Sequence, residues 1–210
     1  MRRLYTREAY IELVNLIREK IPSVALSTDF IVGFCGETEE QFQDTLSLME
    51  LVKFDLAYLY AYSMRDKTHA YHNMQDNVTE EVKKRRLLDI IEVFKRNQLI
   101  KNKMEIGTYQ LVLVEGNGKK PGQLFGKADS NKPCIFENVP IYDRIPQFLQ
   151  EKSQDININE YMSKSTINTK DYIIVKINDV SYNALFATPI CKTSIKDFNQ
   201  ISLGNPIINF

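Results

Sequence analysis

Ser27-Thr-Asp-Phe-Ile-Val-Gly-Phe-Cys-Gly-Glu-Thr38 is the stretch on which the fold turns. The apolar, β-branched run Val24 to Val32 reads as a strand covered on both faces, and it stops at Gly33. Gly36 follows, and Thr38-Glu-Glu-Gln41 then forms a capping box in which the hydroxyl and the amide side chain each satisfy a backbone group at a helix start. Phe42, Leu46, Met49 and Val52 make the buried stripe of that helix. Upstream, Thr6 caps a helix from Arg7 to Lys20, with Tyr10, Leu13, Val14, Ile17 and Ile21 at helical spacing and Pro22 beyond its end. Downstream, Asp55 to Tyr62 reads as a second buried strand and Ser63 to His69 as a polar loop. From Thr79 a long helix runs to Lys103, with Val82, Leu87, Ile90, Ile91 and Phe94 inward and the basic run Lys83 to Arg86 largely outward. Helix and strand alternate as in an α/β fold with parallel strands. Two strands alone leave their edge groups unpaired, so this half reads as part of a larger sheet.

After Gly107 the periodicity changes to that of strands: Thr108 to Glu115, a Gly/Lys turn over Gly116 to Pro121, Gln123 to Gly126, Cys134 to Phe136, Asp171 to Asp179 and Tyr182 to Pro189. Five short strands fit a small antiparallel barrel of the oligonucleotide-binding size. The Asn/Gln/Lys/Ser-rich stretch from about 140 to 170 reads as a long insertion between the third and fourth strands. The domain expectation is therefore an α/β domain over 1–104, an all-β domain over 105–192 and a tail over 193–210.

The chain of 210 residues carries 27 basic and 27 acidic residues, and each half is balanced, with 16 of each sign in 1–104 and 11 in 105–210. Bulk polycation binding to nucleic acid or membrane is unsupported. No apolar run approaches the roughly 20 residues that span a bilayer, which predicts a soluble protein. Cys35, Cys134 and Cys191 lie 99 and 57 residues apart, which gives no disulfide framework and no metal knuckle, and reads as reduced single thiols. No targeting segment is visible near Met1, so mitochondrion and cytoplasm both stay open.

For chemistry, Gly33 and Gly36 at the carboxyl end of a parallel strand let a ligand approach the backbone, and the helix start offers free amides. The plainer reading is that they only shape a βα turn. Cys35 has no nearby His to make it a nucleophile. His69 and His72 stand three apart without a third metal ligand and read as surface histidines. Arg65 follows a strand in a polar loop, where position alone does not decide its role. Gly116-Asn-Gly-Lys-Lys-Pro121, with Phe125, Lys127 and Lys132 close by, is the candidate RNA surface, in which Lys119, Lys120, Lys127 and Lys132 contact phosphates and the aromatic stacks on a base. Solvated turn lysines are the alternative there.

Met1-Arg-Arg-Leu-Tyr-Thr-Arg7, Ala25 to Glu40, Ala61-Tyr-Ser-Met-Arg65 with Thr68-His-Ala70, and Glu80-Glu-Val-Lys-Lys-Arg-Arg-Leu87 come in the order and spacing of a known family. They resemble the MiaB-type tRNA methylthiotransferases, radical S-adenosylmethionine enzymes that insert sulfur into a modified adenosine beside the anticodon. Cys35 in place of the commoner proline, with Tyr62-Ser-Met-Arg65, is similar to the animal branch named for binding an activator of cyclin-dependent kinase 5. Gln110-Leu-Val-Leu-Val-Glu-Gly116, Phe125-Gly126 and Tyr172-Ile-Ile-Val-Lys-Ile177 resemble the family's TRAM domain.

The resemblance implies the last third of a radical-SAM α/β barrel followed by a TRAM barrel. It implies S-adenosylmethionine and 4Fe-4S clusters as cofactors, tRNA as partner, contact with a kinase activator, and no membrane. Asp29, Gly33, Gly36 and Glu37 would help form the S-adenosylmethionine pocket, and Ser63 and Arg65 would face the cofactor or the target nucleoside. The six cluster cysteines of the family are not in this sequence, and Met1 corresponds to an internal methionine, so a truncated form or incomplete gene model, inactive alone, is expected. The other expectation is a non-catalytic RNA-binding or regulatory adaptor. Leu4 and Lys170 stand where the family has turn glycines.

Overall fold

A computed structural model of the chain describes residues 4–146, 149 and 163–203. It divides into two compact units, Met1–Lys101 and Asn102–Phe210.

The first unit runs α1 (Arg7–Lys20), β1 (Ser27–Val32), α2 (Glu39–Val52), β2 (Leu56–Ala61), α3 (His69–Asn73) and α4 (Glu80–Lys103). Thr6 caps α1 by accepting from the Ala9 amide, and the box of Thr38 and Gln41 caps α2 from both sides. Strands β1 and β2 pair in parallel, Ser27 opposite Leu56 through Val32 opposite Ala61. One face of this sheet is covered: Val14, Val32, Phe42, Met49, Val52, Phe54, Ile90 and Phe94 form its core, and the Phe30 and Phe54 rings meet edge to face at 5.7 Å. Among the described residues the other face is bare: Ser27, Asp29, Tyr58 and Tyr60 alternate onto it and are exposed. This corrects the reading of both strands as covered on both faces; the run looked continuous because tyrosines and Ile31 fill positions a purely helix-packed strand would leave polar. The loop after β2 holds one short helix, α3, capped by the Thr68 hydroxyl on the Tyr71 amide.

A second correction concerns α4. Lys83 and Arg86 are 2% and 4% exposed, whereas Lys84 and Arg85 face water. The spacing 83, 86, 90, 94 is one helical face, so the basic run straddles the boundary between inside and outside.

The second unit contains β3 (Tyr109–Asn117), β4 (Gln123–Ala128), β5 (Pro133–Glu137), β6 (Ile141–Tyr142), β7 (Lys164–Ser165), β8 (Tyr172–Val180), β9 (Leu185–Thr193) and α5 (Ile195–Ser202). Strands β5, β4, β3, β8 and β9 pair in that order, and a parallel β5–β9 pairing closes them into a five-stranded barrel. Its interior is Val112, Val114, Leu124, Cys134, Phe136, Ile173, Val175, Ile177 and Leu185, drawn from alternate positions of each strand. The two short strands β6 and β7 lie at the margins of the stretch read as an insertion; its residues 147–148 and 150–162 fall outside the described set. The stretch read as a tail carries α5, capped by Ser194, whose Phe198 is fully buried in a second core with Leu111, Ile174 and Cys191.

Leu4 and Lys170 both adopt left-handed backbone, with φ of 60° and 74°. Both turns thus hold a left-handed backbone with a side chain present, at a conformational cost of about 1 kcal/mol each.

Candidate functional site

Because β1 and β2 are parallel, their carboxyl ends lie at the same edge of the sheet, and Val32 opposite Ala61 brings the segment after Gly33 beside the segment after Tyr62. Gly33, Gly36 and Glu37 therefore share one edge with Ser63 and Arg65. Ser63 and Arg65 are exposed, and the Arg65 carbonyl accepts from the Thr68 hydroxyl at 2.8 Å. Asp29 lies lower on the bare face, opposite Tyr58, with a solvent-exposed carboxylate.

The loop is held by side chains, and that changes what it offers a ligand. The Gly33 amide donates to Glu37 Oε2 at 2.6 Å, the Gly36 amide to Asn77 Oδ1 at 2.8 Å, and the Glu37 amide to the Phe34 carbonyl at 2.8 Å. The Thr38 and Gln41 amides are closed by the capping box. The expectation that this helix start presents free amides is corrected at those positions: they already have partners inside the protein. What remains open is the space above Gly36, where an added Cβ meets nothing within 4 Å, and the side chains of the bare sheet face.

Glu37 is fixed in turn by Arg86, whose Nη1 donates to its Oε2 at 2.8 Å and to its carbonyl at 3.1 Å. Arg86 Nη2 reaches Glu39 at 3.2 Å, its guanidinium lies 5.3 Å from the Phe42 ring centre, and its buried Nε has no partner. Beside it the Lys83 stem runs across Gly33, and its ammonium donates to Asp76 at 2.7 Å and Glu80 at 2.9 Å. Burial works to lower the Lys83 pKa, but the hydrogen bonds it donates to Asp76 and Glu80 and their charges outweigh it and hold the ammonium above its ordinary range. The Tyr62 ring lies 5.7 Å from that ammonium and 4.8 Å from the Phe34 ring. Burial first, then a hydrogen bond with Cys35, pushes its phenol up. Lys83, Arg86, Asp76 and Asn77 were not among the candidates read from the sequence. Their only signal there is the helical spacing of 83 and 86 with Ile90.

In the second unit, Lys119 and Lys120 are exposed on the turn between β3 and β4, around a shallow hollow of about 360 Å³ bounded by that turn and Asn138. The turn is tight: the Gly118 amide donates to the Gln123 carbonyl at 2.7 Å. Lys127 stands outward on β4, with Nζ donating to the Asn131 carbonyl at 3.2 Å. Lys132 departs from the set. It is 5% exposed, with its ammonium 3.0 Å from Glu105, which corrects its expected place on the phosphate-contacting surface. Cys134 and Cys191 are buried thiols pushed up to about 12 by desolvation, slightly offset at Cys191 by a backbone hydrogen bond from Ile174. Among the described residues no three His, Cys, Asp or Glu side chains converge as metal ligands, and no helix is long and apolar enough to cross a membrane.

Residues 103–152 match the TRAM domain family. The chain is 43% identical over 198 residues to the mitochondrial tRNA methylthiotransferase CDK5RAP1 of Homo sapiens, a match that covers 94% of this chain and 31% of the human protein. It is 45% identical over 139 residues to a CDK5RAP1-like protein of Caenorhabditis elegans, covering 66% of this chain and 25% of that one. It is 45% identical over 138 residues to the tRNA-2-methylthio-N(6)-dimethylallyladenosine synthase of Chlorobium phaeobacteroides, covering 65% and 31%. The chain thus spans under a third of the length of these relatives.

Proposed function

Because the chain is homologous to the C-terminal part of the MiaB- and CDK5RAP1-type tRNA methylthiotransferases, we propose that it performs that part's work in such an enzyme: closing the cofactor-binding end of a barrel and holding tRNA. The observation that carries this reading is the match over 94% of the chain, which runs through both the Gly33–Glu37 loop and the TRAM barrel. On this reading the first unit is the last third of a radical-SAM barrel, and its bare face, with Asp29, Tyr58 and Tyr60, lines the interior. The substrate is a modified adenosine in tRNA, and the site of action follows the relatives, mitochondrial for the animal branch. Contact with a kinase activator belongs to the same proposal, and no surface of the chain is assigned to it.

S-adenosylmethionine fits what the loop leaves open. The strand end presents the clear space above Gly36 and an exposed carboxylate at Asp29, suited to the hydroxyls of a ribose or the ammonium of an amino acid. When bound, that cofactor supplies the family's radical chemistry. The part of this chain is positioning: Arg86 fixes Glu37, Glu37 fixes the Gly33 amide, and Ser63 and Arg65 stand at the same edge, with the guanidinium free to meet a carboxylate or phosphate. An iron-sulfur cluster does not fit the residues here, since Cys35 belongs to one unit and Cys134 and Cys191 are core thiols of the other.

The test is a chimera in which this chain replaces the matching C-terminal part of a bacterial methylthiotransferase, in cells lacking the native enzyme. Methylthio-modified adenosine in their tRNA, read by mass spectrometry, is the expected result. A folded, cluster-loaded chimera that binds tRNA and leaves the adenosine unmodified would overturn the proposal, and would favour the RNA-binding adaptor in its place.

A further inference from the structure

The segment after β2 is tied at both ends to the loop after β1. At its start the Tyr62 amide donates to the Val32 carbonyl at 2.8 Å, and the Tyr62 and Phe34 rings meet edge to face at 4.8 Å. At its end Asp76 Oδ2 accepts from the Lys83 ammonium at 2.7 Å, and Asn77 Oδ1 accepts from the Gly36 amide at 2.8 Å. The anchors Val32 and Gly36 lie four residues apart, at most about 14 Å along an extended chain, so the excursion from Tyr62 to Asn77 returns close to where it began, in the manner of an Ω-loop. Its interior is assembled locally. The Thr68 hydroxyl donates to the Arg65 carbonyl at 2.8 Å and accepts from the Tyr71 amide at 3.2 Å, and the Met74 amide donates to the Ala70 carbonyl at 2.9 Å. The Arg65 backbone is thereby joined to α3, and α3 leads directly into the anchored end.

The start of α4 does not call for Asn77, because Thr79 serves it: the Thr79 hydroxyl accepts from the Val82 amide at 3.4 Å and its carbonyl from the Lys83 amide at 2.9 Å. Nor does the Gly36 amide depend on Asn77 for a partner, since the pair is exposed and water would serve it. What the bond supplies is position. It reaches across 41 residues of sequence and fixes the far end of the strap directly to the glycine loop. We propose that Asn77 is a positioning residue for Arg65: by holding the strap 63–77 against the Gly33–Glu37 loop, it keeps the exposed guanidinium at the strand end. The bond uses the side-chain oxygen, so aspartate can replace the asparagine and alanine cannot. This rests on the reading of that strand end as the site facing cofactor and nucleoside.

Hydrogen exchange of the full chain reads the tether. Peptides within 63–76 should exchange about five-fold faster in Asn77→Ala and at the wild-type rate in Asn77→Asp, with the 84–100 stretch of α4 unchanged in both. Kinetics of the purified, cluster-loaded chimera described above read the positioning. Asn77→Ala should lower kcat/KM about ten-fold, Asn77→Asp should stay within about two-fold of wild type, and in an Arg65→Met background Asn77→Ala should cost less than about two-fold more. A contact that merely stabilised the fold would cost the same with or without the guanidinium. Wild-type exchange over 63–76 in Asn77→Ala would overturn the tether, and the full loss persisting in the Arg65→Met background would overturn the action through Arg65. A wild-type chimera without activity would overturn the underlying reading of the strand end, and the exchange of the full chain would still decide the tether.

Discussion

Gly33→Ala and Gly36→Ala give a controlled comparison, since both glycines have left-handed backbone, with φ of 75° and 77°. At Gly36 an added Cβ meets nothing within 4 Å, so alanine there costs only the backbone penalty of about 1 kcal/mol, net of a small gain from a stiffer unfolded chain. At Gly33 the same Cβ falls 2.5 Å from Lys83 Cγ and 3.3 Å from Lys83 Cβ. The lysine stem cannot swing aside freely, because Asp76 and Glu80 hold its far end. Displacing it by roughly an ångström adds an overpacking penalty of about 1–3 kcal/mol, for a total of about 2–4 kcal/mol. Hydrogen exchange read by mass spectrometry on peptides spanning 27–42 and 80–96 gives the local stability of each variant in urea. The expected order is wild type, then Gly36→Ala, then Gly33→Ala, with the last step at least as large as the first. Equal destabilisation by the two variants, within about 0.5 kcal/mol, would refute the packing of Lys83 against the loop.

Arg86→Met leaves Glu37 without its charged partner, and should destabilise the loop by about 3 kcal/mol, at the low end of the range for a buried pair because it also removes an unsatisfied Nε; a double-mutant cycle with Glu37→Gln measures the coupling. Raising the pH should weaken the barrel between about 9 and 12, since Cys134 and Cys191 stay protonated in the folded state up to about 12 while the unfolded thiols ionise near 9, so stability is full below 9 and lost as pH climbs; unfolding midpoints at pH 8 and 10, with Cys→Ala variants as controls, check the sign. Lys119→Ala with Lys120→Ala should flatten the log–log salt slope of RNA binding by about 1.5, whereas Lys132→Ala should leave that slope alone and lower the barrel's stability by removing the ammonium paired with Glu105, which keeps its hydrogen bond from Gln110.

Capping chemistry and periodicity placed most elements, because those signals are local: Thr6, the Thr38–Gln41 box, and the 3.6-residue spacing of α1, α2 and α4 each depend on neighbours within one or two turns. The barrel was legible for a similar reason, since alternation along β3, β8 and β9 is written in the strand itself. Which face of a strand lies bare is not local. Ile31, Tyr58 and Tyr60 are as apolar as residues facing a helix, and only the absence of a third layer among the described residues makes their face a surface.

The site divides along the same line. Gly33, Gly36 and Glu37 could be read because a strand end followed by a capped helix is a sequence pattern. Their partners could not, since Arg86 lies 49 residues from Glu37 and Asn77 41 from Gly36, in pairings that only the fold creates. A charged run such as Lys83 to Arg86 invites the assumption of a solvated face, because burying a cation without a partner is prohibitive. The partners here are Asp76, Glu80, Glu37 and Glu39, supplied from the α3–α4 loop, α4 itself and the start of α2, so the burial is compensated residue by residue. The consequence is chemical as well as structural. The Gly33, Gly36, Thr38 and Gln41 amides are held by side chains and the Glu37 amide by the Phe34 carbonyl, so an anion is not recognised through those backbone positions, and selectivity at this strand end draws on Asp29, Ser63, Arg65 and the tyrosines of the bare face.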